Sequence, residues 1–245
     1  MTILTEHVNH PFHPHTLTSE CKDTPYKCNG CKEIGWGLRY RCDECNYDLH
    51  KDCAFADMMK SDVSFYQNCT FRLHQRGFVG SCCKACGNST QGFVYYCPAK
   101  QCYLHPGCAS LPPILQGEKV ELHLREYVTS RCMRCDGLNL WGQSRGWSYR
   151  SSCKNYNVHV SCMKYAVKRK VEDKWEKHIC KGESSGTLDA EVFELVDIGP
   201  EDTSLWRRKR KSSWKIIAAI FLNLVISTIL GNPFAVIEFF GCIFS

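Results

Sequence analysis

Residues 28–53 read CNGCKEIGWGLRYRCDECNYDLHKDC. The pattern is Cys28-x2-Cys31, ten residues, Cys42-x2-Cys45, four residues, then His50-x2-Cys53. A Cys-x2-Cys turn aims two thiolates at one tetrahedral ion, and a structural Zn²⁺ is closed by four Cys or His donors. Six ligands exceed one such site, so a seventh and an eighth from flanking residues would complete two. The interleaved order predicts a cross-brace in which alternate pairs share a metal. A framework of disulfide-bonded cysteines is the other reading, but it rarely produces such regular pairs.

The chain has 245 residues with 19 Cys and 10 His, so metal rather than a large apolar core is the expected organiser. The odd cysteine count, and an N-terminal stretch MTILTEHVNHPFHPH without an apolar signal region, predict a reducing compartment where zinc thiolates persist. The formal charge is +6, and its conspicuous basic run is short and near the C-terminus. No nucleic-acid partner and no small-molecule substrate are expected from this.

Upstream of Cys28 stand His10, His13 and His15. His15 is the candidate seventh ligand, with His10 and His13 left open. The pattern then returns. Cys83-x2-Cys86 leads over ten residues to Cys97, Cys102 follows at a longer interval than in the first repeat, and His105-x2-Cys108 closes. Cys69 and His74 keep the five-residue offset of His10 and His15, and Cys69 either closes the first repeat or opens the second. A third copy opens with Cys132-x2-Cys135 and ends with His159-x2-Cys162, and His123 precedes it by the eight residues that separate His74 from Cys83. Its middle has decayed, since Ser151 stands where Cys42 would and only Cys153 remains; His178 and Cys180 are candidates to repair it. The expected boundaries are 10–68, 69–115 and 118–180 for the three repeats.

Alternating Leu38 and Tyr40, Phe93 and Tyr95, and Trp147 and Tyr149 predict a short strand with one aromatic face inward in each repeat. Gly30, Gly87 and Gly137 lie in or beside the first Cys pairs, where a turn around a metal favours positive φ. DCAFADMMK permits a short helix. Residues 181–206 carry seven acidic side chains and no basic ones after Lys181, an acidic linker. A basic flank (207–215) precedes an uncharged run at 216–237. As a helix that run would reach about 33 Å, enough to span a bilayer, with the cysteine-rich part cytosolic by the positive-inside rule. The expected fold is therefore a small zinc-stabilised α+β chain, with tandem fingers followed by a C-terminal transmembrane helix in a single-pass membrane protein.

The leader histidine, the paired cysteines and the LHKDC and LHPGC endings resemble the plant Cys/His-rich divergent C-1 domain proteins, relatives of the phorbol-ester/diacylglycerol zinc finger of protein kinase C. The resemblance implies that Cys28, Cys31, His50 and Cys53 share one zinc while His15, Cys42 and Cys45 contribute to a second, about two ions per intact repeat. The parent's final Cys falls here on Ser61. IGWGLRYRC is similar to the parent's second lipid-binding loop but is shorter and lacks its glutamine, which implies that diacylglycerol recognition is lost. The implied function is an interaction adaptor in plant signalling or stress response, without catalysis. Competing readings are a cross-brace ubiquitin ligase, a plant-homeodomain-type reader, a lipid sensor and a thiol oxidoreductase. A ligase of that type places its His before the final Cys pair, whereas His50 follows both pairs; the reader's expected Trp is Ser81.

Overall fold

The computed structural model describes residues 5–116, 121–138 and 146–181. They fall into two compact units: residues up to Lys84 with Asn88–Leu111, and Ala85–Gly87 with the residues from Pro112 onward.

The first unit holds two four-stranded antiparallel sheets. One runs β1 (His7–Val8), β2 (Leu17–Lys27), β3 (Ile34–Cys42), β4 (Tyr47–Leu49), and is followed by the single-turn helix α1 (Lys51–Ala54). The other runs β5 (Met59–Lys60), β6 (Phe71–His74), β7 (Val94–Cys97), β8 (Cys102–Leu104), followed by α2 (Pro106–Ala109). The second unit holds a third sheet of β9 (Ile114–Gln116), β10 (Glu121–Arg125), β11 (Ser148–Ser151) and β12 (Asn157–His159), followed by α3 (Val160–Lys181).

One core motif recurs. Tyr40 faces Leu49, Tyr95 faces Leu104 and Tyr149 faces Val158 across the strands. Each pair is joined by an apolar residue of the preceding strand, Leu17, Phe71 or Leu122, and all nine side chains are at most 2% exposed. The tyrosine hydroxyls tie down the approaching chain, Tyr95 donating to the Asp57 carbonyl at 2.9 Å and Tyr149 to that of Pro112 at 2.7 Å. Tyr40 donates to the Glu6 carboxylate. Burying one such side chain contributes about 1.5–3 kcal/mol. A structural zinc contributes ~10–16 kcal/mol, so metal outweighs any single core contact in repeats this small.

Two expectations are corrected. The fold is mostly small β-sheets rather than the expected α+β, because α1 and α2 last one turn of four residues each before the chain turns toward β5 and β9. The third helix, of 22 residues, is interrupted by charge all along its length and is not apolar. Among the described residues no helix is long and apolar enough to cross a membrane. The span expected at 216–237, its basic flank and the acidic linker lie outside the described residues. The single-pass topology, with its membrane partner and cytosolic orientation, is therefore withdrawn.

Candidate metal centres

Each repeat builds a Cys knuckle by the same backbone hydrogen bonds. The first Cys donates to the carbonyl five residues on: Cys28 to Glu33 at 2.9 Å, Cys83 to Asn88 at 2.8 Å, Cys132 to Gly137 at 3.0 Å. The next amide anchors the knuckle to the last strand, Asn29 to Asp48, Lys84 to Tyr103 and Met133 to Asn157, at 2.7–2.9 Å. That strand leads directly to the ligand histidine, which follows β4 and β8 and closes β12, and the helical turn after it returns a further Cys. The left-handed residue is the one after the second Cys, namely Lys32, Gly87 or Asp136. Gly30 serves packing instead: a Cβ there would meet the Phe93 ring at 2.7 Å.

Three four-donor clusters result: Cys28, Cys31, His50, Cys53; Cys83, Cys86, His105, Cys108; and Cys132, Cys135, His159, Cys162, with the donor atoms of each within 4.8 Å of one another. His50 Nδ1 lies 3.3 Å from the Cys31 sulfur, and His159 Nδ1 lies 3.4 Å from that of Cys135. The far nitrogens are fixed by backbone carbonyls, His50 Nε2 by Ile34 and His105 Nε2 by Ser89, both at 3.2 Å. This outer hydrogen bond orients a metal-ligating imidazole. His159 Nε2 is buried with no hydrogen-bond partner among the described residues.

The thiols show why these clusters suit a cation. Burial opposes ionisation of Cys28, but hydrogen bonds with Cys31 and Cys53 and the charge of His50 hold it well below the usual thiol range. The hydrogen bond with Cys28 drives Cys31 up to about 11, and that with Cys28 and then Cys31 drives Cys53 well above its ordinary value. In the third cluster, the hydrogen bond with Cys162 brings Cys132 down to about 3, while its counterpart raises Cys162. In these two clusters one sulfur takes the negative charge at its neighbours' expense. A bound Zn²⁺ removes that conflict by letting all three be thiolates, so the three-sulfur, one-nitrogen sets fit zinc.

A fourth cluster joins His13, His15, Cys42 and Cys45. His15 Nδ1 stands 3.1 Å from the Cys45 sulfur and 3.6 Å from that of Cys42. His13 stacks on Tyr47 at 4.2 Å, and burial first, then the neighbouring His15, lowers its pKa. Sequence reading left His13 open; with no Cys at Ser61, the His-Pro-His spacing was the signal for a fourth donor. His10 instead stacks against Phe93 at 5.0 Å.

The second and third repeats have no equivalent four-donor cluster among the described residues. His74 packs in an aromatic group with Phe78 and Tyr96. His123 pairs with Glu121 at 2.6 Å and with the Ser152 hydroxyl at 3.0 Å. Strand parity is the reason: Phe71 and Leu73, and Leu122 and Leu124, face the core, so His74 and His123 alternate away from it. Cys69 lies against Cys97, and Cys102 faces Cys97 in register. Cys153 is exposed with its sulfur 3.2 Å from the Ser151 hydroxyl, and Ser151 pairs with Leu122. The side chains of His178 and Cys180 lie outside the described set.

Comparison with known proteins gives a coherent picture. Residues 10–54 match the family profile described as C1 domain. Probable nucleoredoxin 1 of Arabidopsis thaliana is 39% identical over 57 residues, which are 23% of this chain and only 9% of that protein. No solved structure matches the chain. Two of the four Cys/His clusters lie inside the matched segment, so residues 10–54 are similar to a C1 domain and carry donor sets that fit zinc.

Proposed function

We propose that the chain is a non-catalytic interaction module whose zinc ions are structural, acting as an adaptor in plant intracellular signalling or stress response. The supporting observation is the donor sets: three clusters each combine three Cys with one His, and the fourth combines two of each. Four protein donors close a tetrahedral zinc and leave no position for substrate or activated water. The likeness to Probable nucleoredoxin 1 spans too little of that protein to bring an activity with it.

A recognition surface is available in the loop after β6, where Phe78 is 43% and Val79 fully exposed, and Gly80 adopts φ +77°. A lipid occupant is the second reading, because these apolar tips are the kind that enter a membrane interface. Native mass spectrometry of the full chain should find at least four zinc ions, and chelation should abolish the sheet signal in circular dichroism. Fewer than three ions, or a chelated chain that keeps its fold, defeats the structural-zinc reading. Co-sedimentation with phosphatidylserine vesicles containing diacylglycerol separates the two occupants: binding that Val79→Asp removes would favour lipid over protein.

A further inference from the structure

The second sheet lies wholly within the first compact unit and presents a face that the four donor clusters do not use. Strand parity sends Phe71, Leu73, Tyr95 and Leu104 inward and leaves Arg72, Tyr96 and Tyr103 on the opposite face. Those three are direct register partners, and Met59, 58% exposed, stands opposite Arg72, so one outward row crosses all four strands. Tyr96 and Tyr103 stack at 4.8 Å, and Phe78 tilts against them at 5.5 and 5.4 Å. The charge around this row is one-sided. Residues 63–117 contain no Asp or Glu, whereas the 62 residues before them hold ten. Their Lys and Arg residues are Arg72, Arg76, Lys84 and Lys100, all of them exposed. Lys84 borders the row, its amide donating to the Tyr103 carbonyl at 2.8 Å, and Lys100 lies in the turn that joins β7 to β8. In the first sheet, by contrast, Glu20, Asp43 and Asp48 neutralise Arg39 and Arg41 at 2.6–3.0 Å.

We propose that this aromatic and cationic face docks an acidic peptide of a partner protein, its carboxylates meeting Arg72 and the neighbouring cations while an apolar side chain lies on Tyr96, Tyr103 and Phe78. The inference rests on the interaction-module reading and adds the chemistry of the partner. Tyr, Phe, Met and Arg are the residues that protein interfaces enrich, and Tyr and Arg carry a large share of binding energy where they cluster. A face without a single carboxylate attracts an acidic partner and repels a basic one, which sets both encounter and specificity. Four cations spread around the row are few for a nucleic acid, whose affinity comes from many phosphate contacts made together. A peptide needs only a few such charges beside an apolar anchor.

The test is fluorescence anisotropy of the zinc-loaded full chain with the fluorescein-labelled peptide Asp-Glu-Phe-Asp-Asp-Leu-Phe-Glu-Asp, and with the same peptide carrying Asn and Gln in place of Asp and Glu. The acidic peptide should bind saturably, about tenfold or more tightly than the neutral one, and should weaken as salt is raised. Arg72→Glu should lower its affinity at least about tenfold and Tyr103→Ala several-fold. Arg125→Glu makes the same charge change at an exposed arginine of the third sheet and should leave affinity within about twofold. Absence of saturable binding, equal affinity for the neutral peptide, or an equal loss in Arg125→Glu would each overturn the docking face. Oligouridylate or phosphatidylserine vesicles that displace the labelled peptide more effectively than the unlabelled peptide does would also overturn it, assigning the face to nucleic acid or to a membrane. Native mass spectrometry of the same sample keeps the two readings apart: fewer than three zinc ions defeats the structural-zinc module, whereas a full count with no peptide bound defeats this face alone.

Discussion

Cys31 and Cys135 hold the same place in the same knuckle, yet Cys31 is 4% exposed and Cys135 lies open to solvent. Both sealed knuckles carry a strand packed on the turn. In the first unit the Gly30 carbonyl accepts the Phe93 amide at 2.9 Å, and Gly92 sits so close that a Cβ there would meet the Gly30 oxygen at 1.8 Å. In the second unit the Ala85 carbonyl accepts the Trp147 amide at 2.8 Å in the same way, and its neighbour Cys86 is 1% exposed. Identical ligand spacing therefore yields two sealed knuckles, each under an aromatic-led strand, and a third whose second cysteine, Cys135, is exposed.

Breaking a sealed site outright should have the largest effect. His50→Ala removes a donor that is 4% exposed and frees three sulfurs that cannot all ionise together. Loss of most of an apparent ~10–16 kcal/mol of zinc binding should unfold the first repeat, read as lost sheet signal and one or two missing ions. Retention of cooperative melting would refute it. The comparison itself is sharpened by timed N-ethylmaleimide labelling of the zinc-loaded chain with peptide mass analysis. Cys135 should be modified several-fold faster than Cys31 or Cys86, since exposure governs access to a ligand thiolate. Equal rates would mean that the covering strands do not protect.

Smaller still is the loss of one core anchor. Tyr149→Phe strands the Pro112 carbonyl and should cost about 1–2 kcal/mol in chemical denaturation, with the metal count unchanged. The weakest contrast is Glu20, whose carboxylate meets Arg39 at 2.9 Å on the long β2–β3 hairpin of the first repeat. Burial raises its pKa, but hydrogen bonds from Lys22 and Arg39 outweigh this and hold it below the usual value. A depressed folded pKa stabilises above the unfolded value, about 4.3, and that contribution is lost as pH falls. Glu20→Gln should therefore cost no more than about 1 kcal/mol near neutrality and nothing in acid, so an equal cost at both pH values would contradict the pairing.

The knuckles and their His-x2-Cys partners were legible from spacing because their donors lie on one tight turn and one strand end, both local. The aromatic strand was legible too, as Tyr40, Tyr95 and Tyr149 show. Counting failed where the chain between donors varies in length. β2 runs on to Lys27 through an irregularity between Lys22 and Pro25, whereas β6 and β10 stop at His74 and Arg125. Distance measured back from each Cys pair therefore pointed to His74 and His123, while parity with Phe71 points to Cys69 in the second repeat.

By itself the sequence determined that three zinc-knuckle repeats exist and which four residues each knuckle offers, because a metal-binding turn is set by a few consecutive dihedrals. Only the tertiary structure decided that His13 completes the fourth cluster, that His74 and His123 face away, and that Cys135 is open while Cys31 and Cys86 are sealed. Those outcomes depend on strand register and on which segment covers a turn, and both arise from pairing between residues far apart in the chain.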